Sequence, residues 1–552
     1  MNMIIKQVSS LKKIRSEQDM KTNEIYKKTM LGGECFSYQI ALWSDRKFDF
    51  KFEINSPLKD FISIYSVKKT AMDYPTYFYC NDDDYITKEP GFMPDLLVPL
   101  ADQKDWLVVA EGAECIWLEI KLPHGFAAGN YDVEVKICGC GGDGDCEKVE
   151  ISKLLTVEVI AAEVPKQKTI FTQWFHTDCI ASAHNTEIYS EEHWALIDKY
   201  MALASELGIN MLLTPVITPP LDTEIGTMRP NVQLAAIEKN GDKYSFDFSK
   251  LKRWISLCKK NNIEYYEISH FFSQWGLKCA PNITVKKDGE EKLLFGWHIA
   301  ANDPSYKAFL EQFIPSLMEF LKEEGIVDKC KFHISDEPSF EHLENYRYAY
   351  EIVKPLIGDC EIMDALSNIN FYDQGLLSVP VTSTNEIEPF LERKIENQWA
   401  YYCCGQINKV GNRFLAMPSY RNRILGLQMY KYGIKGFLQW GYNFYYGRIS
   451  RYEINPYVST SGDKAFPSGD AFSVYPGKNR PLPSLRAIVF KEALQDIELC
   501  RLLESYIGKD AVVEIIDSFA ETPITFSEYP RNDEYISKVM AVIENKIKEF
   551  CK

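Results

Sequence analysis

The feature that most constrains this 552-residue chain is a change of texture at Pro165. Beyond it, short β-compatible runs alternate with amphipathic helical stretches as far as Tyr506, the pattern of parallel βαβ units. The β-compatible runs are Thr169–His176, Ile209–Ile217, Ile263–His270, Lys331–Ser335, Glu361–Leu366, Val379–Thr384, Gln398–Cys403 and Gly436–Trp440. Apolar residues at helical spacing fall at Glu191–Leu207, Leu251–Asn261, Ser305–Glu324, past Pro338, at Asn412–Tyr432 and at Leu482–Tyr506. Eight such units predict a (β/α)8 barrel, a TIM barrel, over residues 165–508. A hairpin over Val232–Phe248, turning at Asn240-Gly241, is expected as an insertion.

Before Pro165 the period is two. It runs through C-F-S-Y-Q-I-A-L-W, F-D-F-K-F-E-I and F-I-S-I-Y-S-V, then W-L-V-V-A, C-I-W-L-E-I, Y-D-V-E-V-K-I and L-L-T-V-E-V-I. Short alternating strands with turn signals between them predict a β-sandwich over residues 1–164. Residues 509–552 read as a helical extension on the barrel's outside. The chain is thus a multidomain α/β protein: sandwich, barrel and extension.

A formal net charge of −16, with acids and bases mixed, excludes nucleic acid and an anionic membrane surface as partners. No stretch approaches the roughly 20 apolar residues of a membrane helix, and the start carries no cleavable signal. Fifteen cysteines are odd in number and sparse, which predicts reduced thiols in a cytoplasm. Cys138, Cys140 and Cys146 sit in C-G-C-G-G-D-G-D-C, whose glycines and aspartates are the chemistry of a hairpin turn between Tyr131–Ile137 and Lys148–Ile160. Nothing in the sequence sets the oligomeric state.

The fourth strand runs into Asp336 and Glu337, closed by Pro338. In a parallel α/β barrel, chemistry sits at the C-terminal ends of strands. Adjacent acids repel, so at least one should be hard to ionise, and a carboxyl kept neutral near pH 7 can protonate a glycosidic oxygen. The bland alternative is a solvated pair capping the next helix. The same rim should collect His176, Asp178, His270, Trp275, Asp364, Asn385, Tyr401, Tyr402, Trp440, Asn443 and Tyr445. That crowd of polar and aromatic groups suits a sugar, although each member has a structural alternative.

A retaining glycosidase normally sets a second carboxylate across the sugar. Strand seven ends Y-Y-C-C-G-Q without one, and Glu386 and Glu388 fall in what reads as a helix after strand six. The second acid is then Asp336. Two neighbours can share the work if a 2-acetamido group supplies the nucleophile, with Asp336 holding the amide and Glu337 protonating the leaving oxygen. A conventional glycosidase recruiting Glu386 or Glu388, a hexosaminidase of other specificity, and a carbohydrate-binding protein without turnover are the alternatives. The rim shows no metal-ligand spacing, and no cofactor is expected.

The H-I-S-D-E-P element, G-F-L-Q-W-G-Y-N, P-S-L-R-A-I-V-F-K-E-A-L-Q-D-I-E-L and the early G-G-E-C-F-S-Y-Q together resemble glycoside hydrolase family 123 over roughly residues 30–510. The resemblance implies a β-N-acetylgalactosaminidase acting at non-reducing ends, with glycosphingolipid glycans as typical substrates. It also implies substrate-assisted retention, with the Asp and Glu roles falling on Asp336 and Glu337.

Overall fold

The computed structural model describes residues 3–102, 107–109, 112–141 and 147–551. Two five-stranded sheets form the N-terminal part. The first contains Met3–Ser9, Cys35–Ser44, Gly112–Lys121, Ile62–Met72 and Gly91–Pro99 in spatial order. The second contains Lys27–Gly32, Glu147–Glu163, Gly129–Gly141, Phe48–Asn55 and Leu107–Val109. Their facing sides alternate as the period-two pattern requires, Tyr38, Ile40 and Leu42 from one meeting Val133, Val135 and Ile137 from the other. All pairings are antiparallel except that of Glu147–Glu163 with Lys27–Gly32.

Gly91–Pro99 has no counterpart in the sequence reading. It is an edge strand that carries Pro94 at a bulge against Lys69, a place where the missing N–H breaks no ladder. The glycine- and aspartate-rich cysteine loop does join two paired strands, with Gly141 opposite Glu147. Its turn, with Cys146, lies outside the described residues.

The first sheet is buried on both faces. Ala41, Val67, Leu97, Ala113, Cys115 and Trp117 belong to one core with the barrel's helices. Its partner there is the helix Leu485–Ile507, started by Ser484, whose hydroxyl accepts from Ala487 N–H at 3.1 Å. That helix also sends polar groups into the seam. Arg486 pairs with Asp95 at 2.8 Å and Lys491 with Glu119 at 2.7 Å, while Gln495 exchanges hydrogen bonds with the Cys35 backbone.

Eight parallel strands close the barrel: β1 (Ile170–Gln173), β2 (Met211–Thr214), β3 (Tyr265–Ile268), β4 (Cys330–Phe332), β5 (Glu361–Ala365), β6 (Val379–Ser383), β7 (Trp399–Tyr401) and β8 (Gly436–Gln439). Met211, Leu213, Met363, Val379, Val381, Trp399 and Leu438 fill the inside. Phe171, Leu212, Tyr266, Phe332, Ile362 and Phe437 point outward into the helical layer. At the start of β8 only glycine fits, because a Cβ on Gly436 would lie 2.2 Å from the Trp399 ring. The inserted hairpin is present as Ala236–Asn240 and Lys243–Asp247, and a second hairpin, Ile283–Lys287 with Glu290–Phe295, extends it to four strands.

One element departs from the sequence reading, and another makes contacts beyond it. The helix expected over Asn412–Tyr432 begins only at Tyr420 and runs as Tyr420–Arg423 and Leu425–Tyr432. Pro418 blocks an earlier start, and Arg413 is drawn inward, its guanidinium donating to Gln173, Gln439 and the carbonyls of Gly441 and Asp470. The C-terminal extension forms Lys509–Asp517 and Asp533–Phe550. The second helix bridges two parts instead of lying on the barrel alone. It packs on Leu485–Ile507 and reaches the sandwich through Lys28–Glu544, Lys548–Glu158 and Lys12–Asp533. No helix among the described residues is long and apolar enough to cross a membrane.

Candidate active site

A pocket opens at the C-terminal ends of the barrel strands. It is lined by Trp174 and His176 after β1, Leu221 and Asp222 after β2, Gln274 and Trp275 after β3, and Asp336 and Glu337 after β4. Ala365 of β5, Tyr401, Cys403 and Cys404 at β7, Leu438 and Trp440 at β8, and Phe466 complete it.

Asp336 and Glu337 do not cap the next helix. That task belongs to Ser339, which forms a reciprocal cap with His342. Glu337 instead holds a left-handed backbone, φ 45°, and its N–H donates to the Ala365 carbonyl at 3.0 Å. Asp222 and Trp275 are also left-handed, φ 41° and 53°. Each such non-glycine residue costs about 1–2 kcal/mol. Strain of this kind gathers where side-chain placement matters more than stability.

Tyr401 donates its hydroxyl to Glu337 Oε1 at 2.8 Å, and the Trp275 N–H holds the Asp336 carbonyl at 3.0 Å. The Asp336 carboxylate accepts no hydrogen bond from any described side chain. Burial, reinforced by the neighbouring Glu337 charge, pushes Asp336 well above the usual carboxylate range. Burial also raises Glu337, against the pull of Tyr401 and Trp275 toward the charged form. Both acids are therefore harder to ionise than an ordinary carboxylic acid.

A second charged cluster lies beneath them, inside the barrel. His333 Nε2 meets Glu267 Oε1 at 2.7 Å and Nδ1 meets Asp364 Oδ1 at 2.9 Å. Glu267 further accepts from Thr172 and Trp174, both at 2.6 Å. Asp364 takes the Tyr346 hydroxyl at 2.5 Å and the Ile334 N–H at 3.2 Å. Burial opposes a charge on His333, but its hydrogen bonds to Asp364 and Glu267 prevail and raise it to about 9. It is an imidazolium at neutral pH, and its charge partly offsets the rise of Asp336.

His270 stacks on His333 with ring centres 4.1 Å apart and planes 21° apart. Burial, and then the His333 charge, keep it neutral. Ligand atoms of His270, His333 and Asp364 lie within 4.8 Å of one another, close enough for a metal. However, both His333 nitrogens already donate to carboxylates. Nitrogen lone pairs also lie in the ring planes, and two nearly parallel stacked rings do not aim them at one ion.

Of the residues expected at the rim, His176, Trp275, Tyr401 and Trp440 line the pocket with the acid pair. Both ring nitrogens of His176 are engaged. Its Nε2–H donates to the Trp440 carbonyl at 2.9 Å and its Nδ1 accepts from Arg229 at 3.2 Å, which fixes the tautomer. Burial and the Arg229 charge lower it to about 3. Asp178 holds Arg229 at 2.6 Å.

His270 and Asp364 belong to the buried layer below the pocket. Asn443 braces the His176 backbone, with hydrogen bonds of 2.9 Å to its N–H and its carbonyl. Tyr445 donates to the Val474 carbonyl at 2.9 Å. Tyr402 faces the outer layer, its hydroxyl on Asn422 at 3.0 Å and its ring against Phe437. Asn385, Glu386 and Glu388 are exposed and lie outside the pocket lining.

The sequence reading missed Asp222. Its carboxyl is pushed up to about 6 by burial, and its Oδ2 has no partner among the described residues. It lies in a long polar connection with no motif, so no signal pointed to it. Glu267 was overlooked too, although an acid inside an otherwise apolar strand (Y-Y-E-I) is a signal that could have been used.

The profile of the glycoside hydrolase 123 catalytic domain matches residues 174–503. A family 123 glycoside hydrolase from Clostridium perfringens, studied for glycolipid glycan hydrolysis, superimposes with a TM-score of 0.76 at 15% identity, covering 100% of this chain and 99% of that one. A family 5 mannosidase from Rhizomucor miehei aligns with a TM-score of 0.34 at 12% identity, over 60% of this chain and 93% of its own. No curated protein matches the chain. The family match spans well over half of the sequence and contains every strand end that lines the pocket, so this chain belongs to glycoside hydrolase family 123.

Proposed function

We propose that this glycosidase releases non-reducing-end β-linked N-acetylgalactosamine, from glycans of the glycosphingolipid type, by substrate-assisted retention through an oxazolinium intermediate. The observation that carries the reading is the pair Asp336–Glu337, adjacent in sequence, both lining the pocket and both harder to ionise than an ordinary carboxylic acid, with Glu386 and Glu388 outside the pocket lining.

An entering 2-acetamido N–H would donate to Asp336 and draw the pair's negative charge there. The proton then rests on Glu337, which delivers it to the glycosidic oxygen and later accepts one from water. The acetamido oxygen closes onto C1, and Asp336 stabilises the positive ring. The aromatic walls Trp174, Trp275, Tyr401 and Trp440 suit a pyranose. Asp222, whose Oδ2 has no partner among the described residues, would accept from a sugar hydroxyl. No metal or cofactor enters the scheme. The described cysteines are free thiols, which suits a reducing compartment such as the cytoplasm.

The runner-up is a conventional enzyme whose second carboxylate is Asp222, the third acid of the pocket. A nucleophile must be ionised, and a carboxyl raised to about 6 is poorly suited to that. Turnover of aryl β-glycosides with and without a 2-acetamido group separates the readings. The proposal expects hydrolysis of the acetamido sugar alone, and equal rates on the 2-hydroxy sugar would contradict it.

A further inference from the structure

The connection from Ile62–Met72 to Gly91–Pro99 does not turn back tightly; residues 73–90 reach from the sandwich to the barrel. The segment is firmly fastened there. The Asp73 carboxylate accepts from Ser459 at 2.8 Å, Ser461 at 2.6 Å and the Thr460 N–H at 3.1 Å. Tyr85 donates to the Ile407 carbonyl at 2.8 Å and Tyr77 to the Ala465 carbonyl at 3.2 Å. Tyr77 also lies beside the thiol of Cys404, and Cys404 and Phe466 are pocket walls.

Between these anchors the chain leaves Phe78 92% exposed and Tyr79 59% exposed. Tyr79 lies flat against Tyr77, centroids 5.3 Å apart and planes 12° apart, and Phe78 stands edge-on to Tyr79 at 5.3 Å. Two large aromatic rings are thus held open to solvent by a loop pinned on both sides, next to a pocket.

Direction decides what would cover them. A general acid stands on the side of the leaving oxygen, so the leaving group must exit past Glu337. Glu337 is held by Tyr401, and Cys403 is close enough to feel its charge. Cys404 follows in the chain, with Tyr77 against it. From the acid a chain of neighbours thus leads through Cys403, Cys404 and Tyr77 to Tyr79 and Phe78.

We propose that Tyr77, Phe78 and Tyr79 form the subsite for the leaving-group sugar, a hexopyranose whose C–H face stacks on the exposed rings. The sandwich domain, which otherwise contributes no pocket wall, thereby reads the aglycone. This inference rests on Glu337 being the general acid.

The test is F78A/Y79A, two surface substitutions. Its substrates are a disaccharide with N-acetylgalactosamine β-linked to galactose and the N-acetylgalactosaminyl fluoride, whose leaving group is too small to reach the platform. The value of kcat/KM on the disaccharide should fall about tenfold, the scale of stacking contacts, while the fluoride changes less than twofold. Equal losses on both substrates, or none on either, would overturn the platform and leave the acid pair untouched.

If wild-type enzyme turns over neither substrate, the reading of the pocket fails, and saturation-transfer NMR with the same disaccharide decides the platform. Transfer to the galactose ring protons that disappears in F78A/Y79A supports it. Absent or unaltered transfer contradicts it. A concentration-dependent dimer lost in F78A/Y79A, with unchanged kinetics, would assign the rings to self-association and overturn it as well.

Discussion

Two clusters of charge occupy neighbouring levels of one barrel and have opposite chemistry. In the lower one, Glu267, His333 and Asp364 share hydrogen bonds of 2.7 and 2.9 Å, with further donors on both carboxylates. In the upper one, Asp336 and Glu337 repel each other, and Tyr401 donates to Glu337 at 2.8 Å. The lower cluster is nearly satisfied and behaves as structure. The upper keeps unspent capacity for hydrogen bonds and charge, which a bound substrate can complete.

The sharpest break in this comparison is Glu337→Gln. General acid–base help is worth about 10²–10⁴-fold, so kcat on an oligosaccharide should fall by that order while the fold is kept. Near wild-type rates would remove Glu337 from the acid role. The lower cluster should respond the other way. His333→Ala strands two buried carboxylates and should cost about 3–5 kcal/mol in denaturant unfolding. A loss below 1 kcal/mol would show that the lower cluster does not hold the barrel together.

A smaller effect tests the cost of the upper pair. Asp336 is raised above its ordinary 3.8. Well below pH 3.8 it is protonated whether folded or unfolded and has no influence. As pH rises from 4 toward the raised value, the folded state retains a proton that the unfolded state has released, so stability is progressively lost. Asp336→Asn removes that deficit. Its melting temperature should match wild type near about pH 3 and exceed it by a few degrees at about pH 7, though activity falls. An advantage that shrinks with rising pH would contradict the raised carboxyl. The smallest expected effect is none at all: a chelator should leave turnover unchanged, and loss restored by one added metal would reopen the His270–His333–Asp364 cluster as a metal centre.

The barrel was legible because each strand–helix unit carries its own period and breaker residues, and the acid pair because two adjacent carboxylates at a strand end are conspicuous. Side-chain direction was not legible. Tyr401 and Tyr402 are neighbours on one strand end, yet one faces the pocket and the other the helical layer, because strand side chains alternate. Asn443 and Tyr445 looked like sugar ligands by type, and their hydrogen bonds go to backbone groups. Asp222 could not be found, since it joins the pocket through a long loop held by Arg229, whose donation to the Leu221 carbonyl at 3.3 Å is a contact made only in three dimensions.

The central claim is that the substrate's own acetamido oxygen attacks C1 while Asp336 and Glu337 manage charge and proton. The most direct measurement is kcat/KM for aryl 2-acetamido-β-galactosides in which the acetyl methyl carries none, one, two or three fluorines. Each fluorine withdraws electrons from the carbonyl oxygen and weakens it as a nucleophile. The account predicts a steep, monotonic fall across the series. A flat series, with a sugar ester recovered on Asp222, would show that the protein supplies the nucleophile.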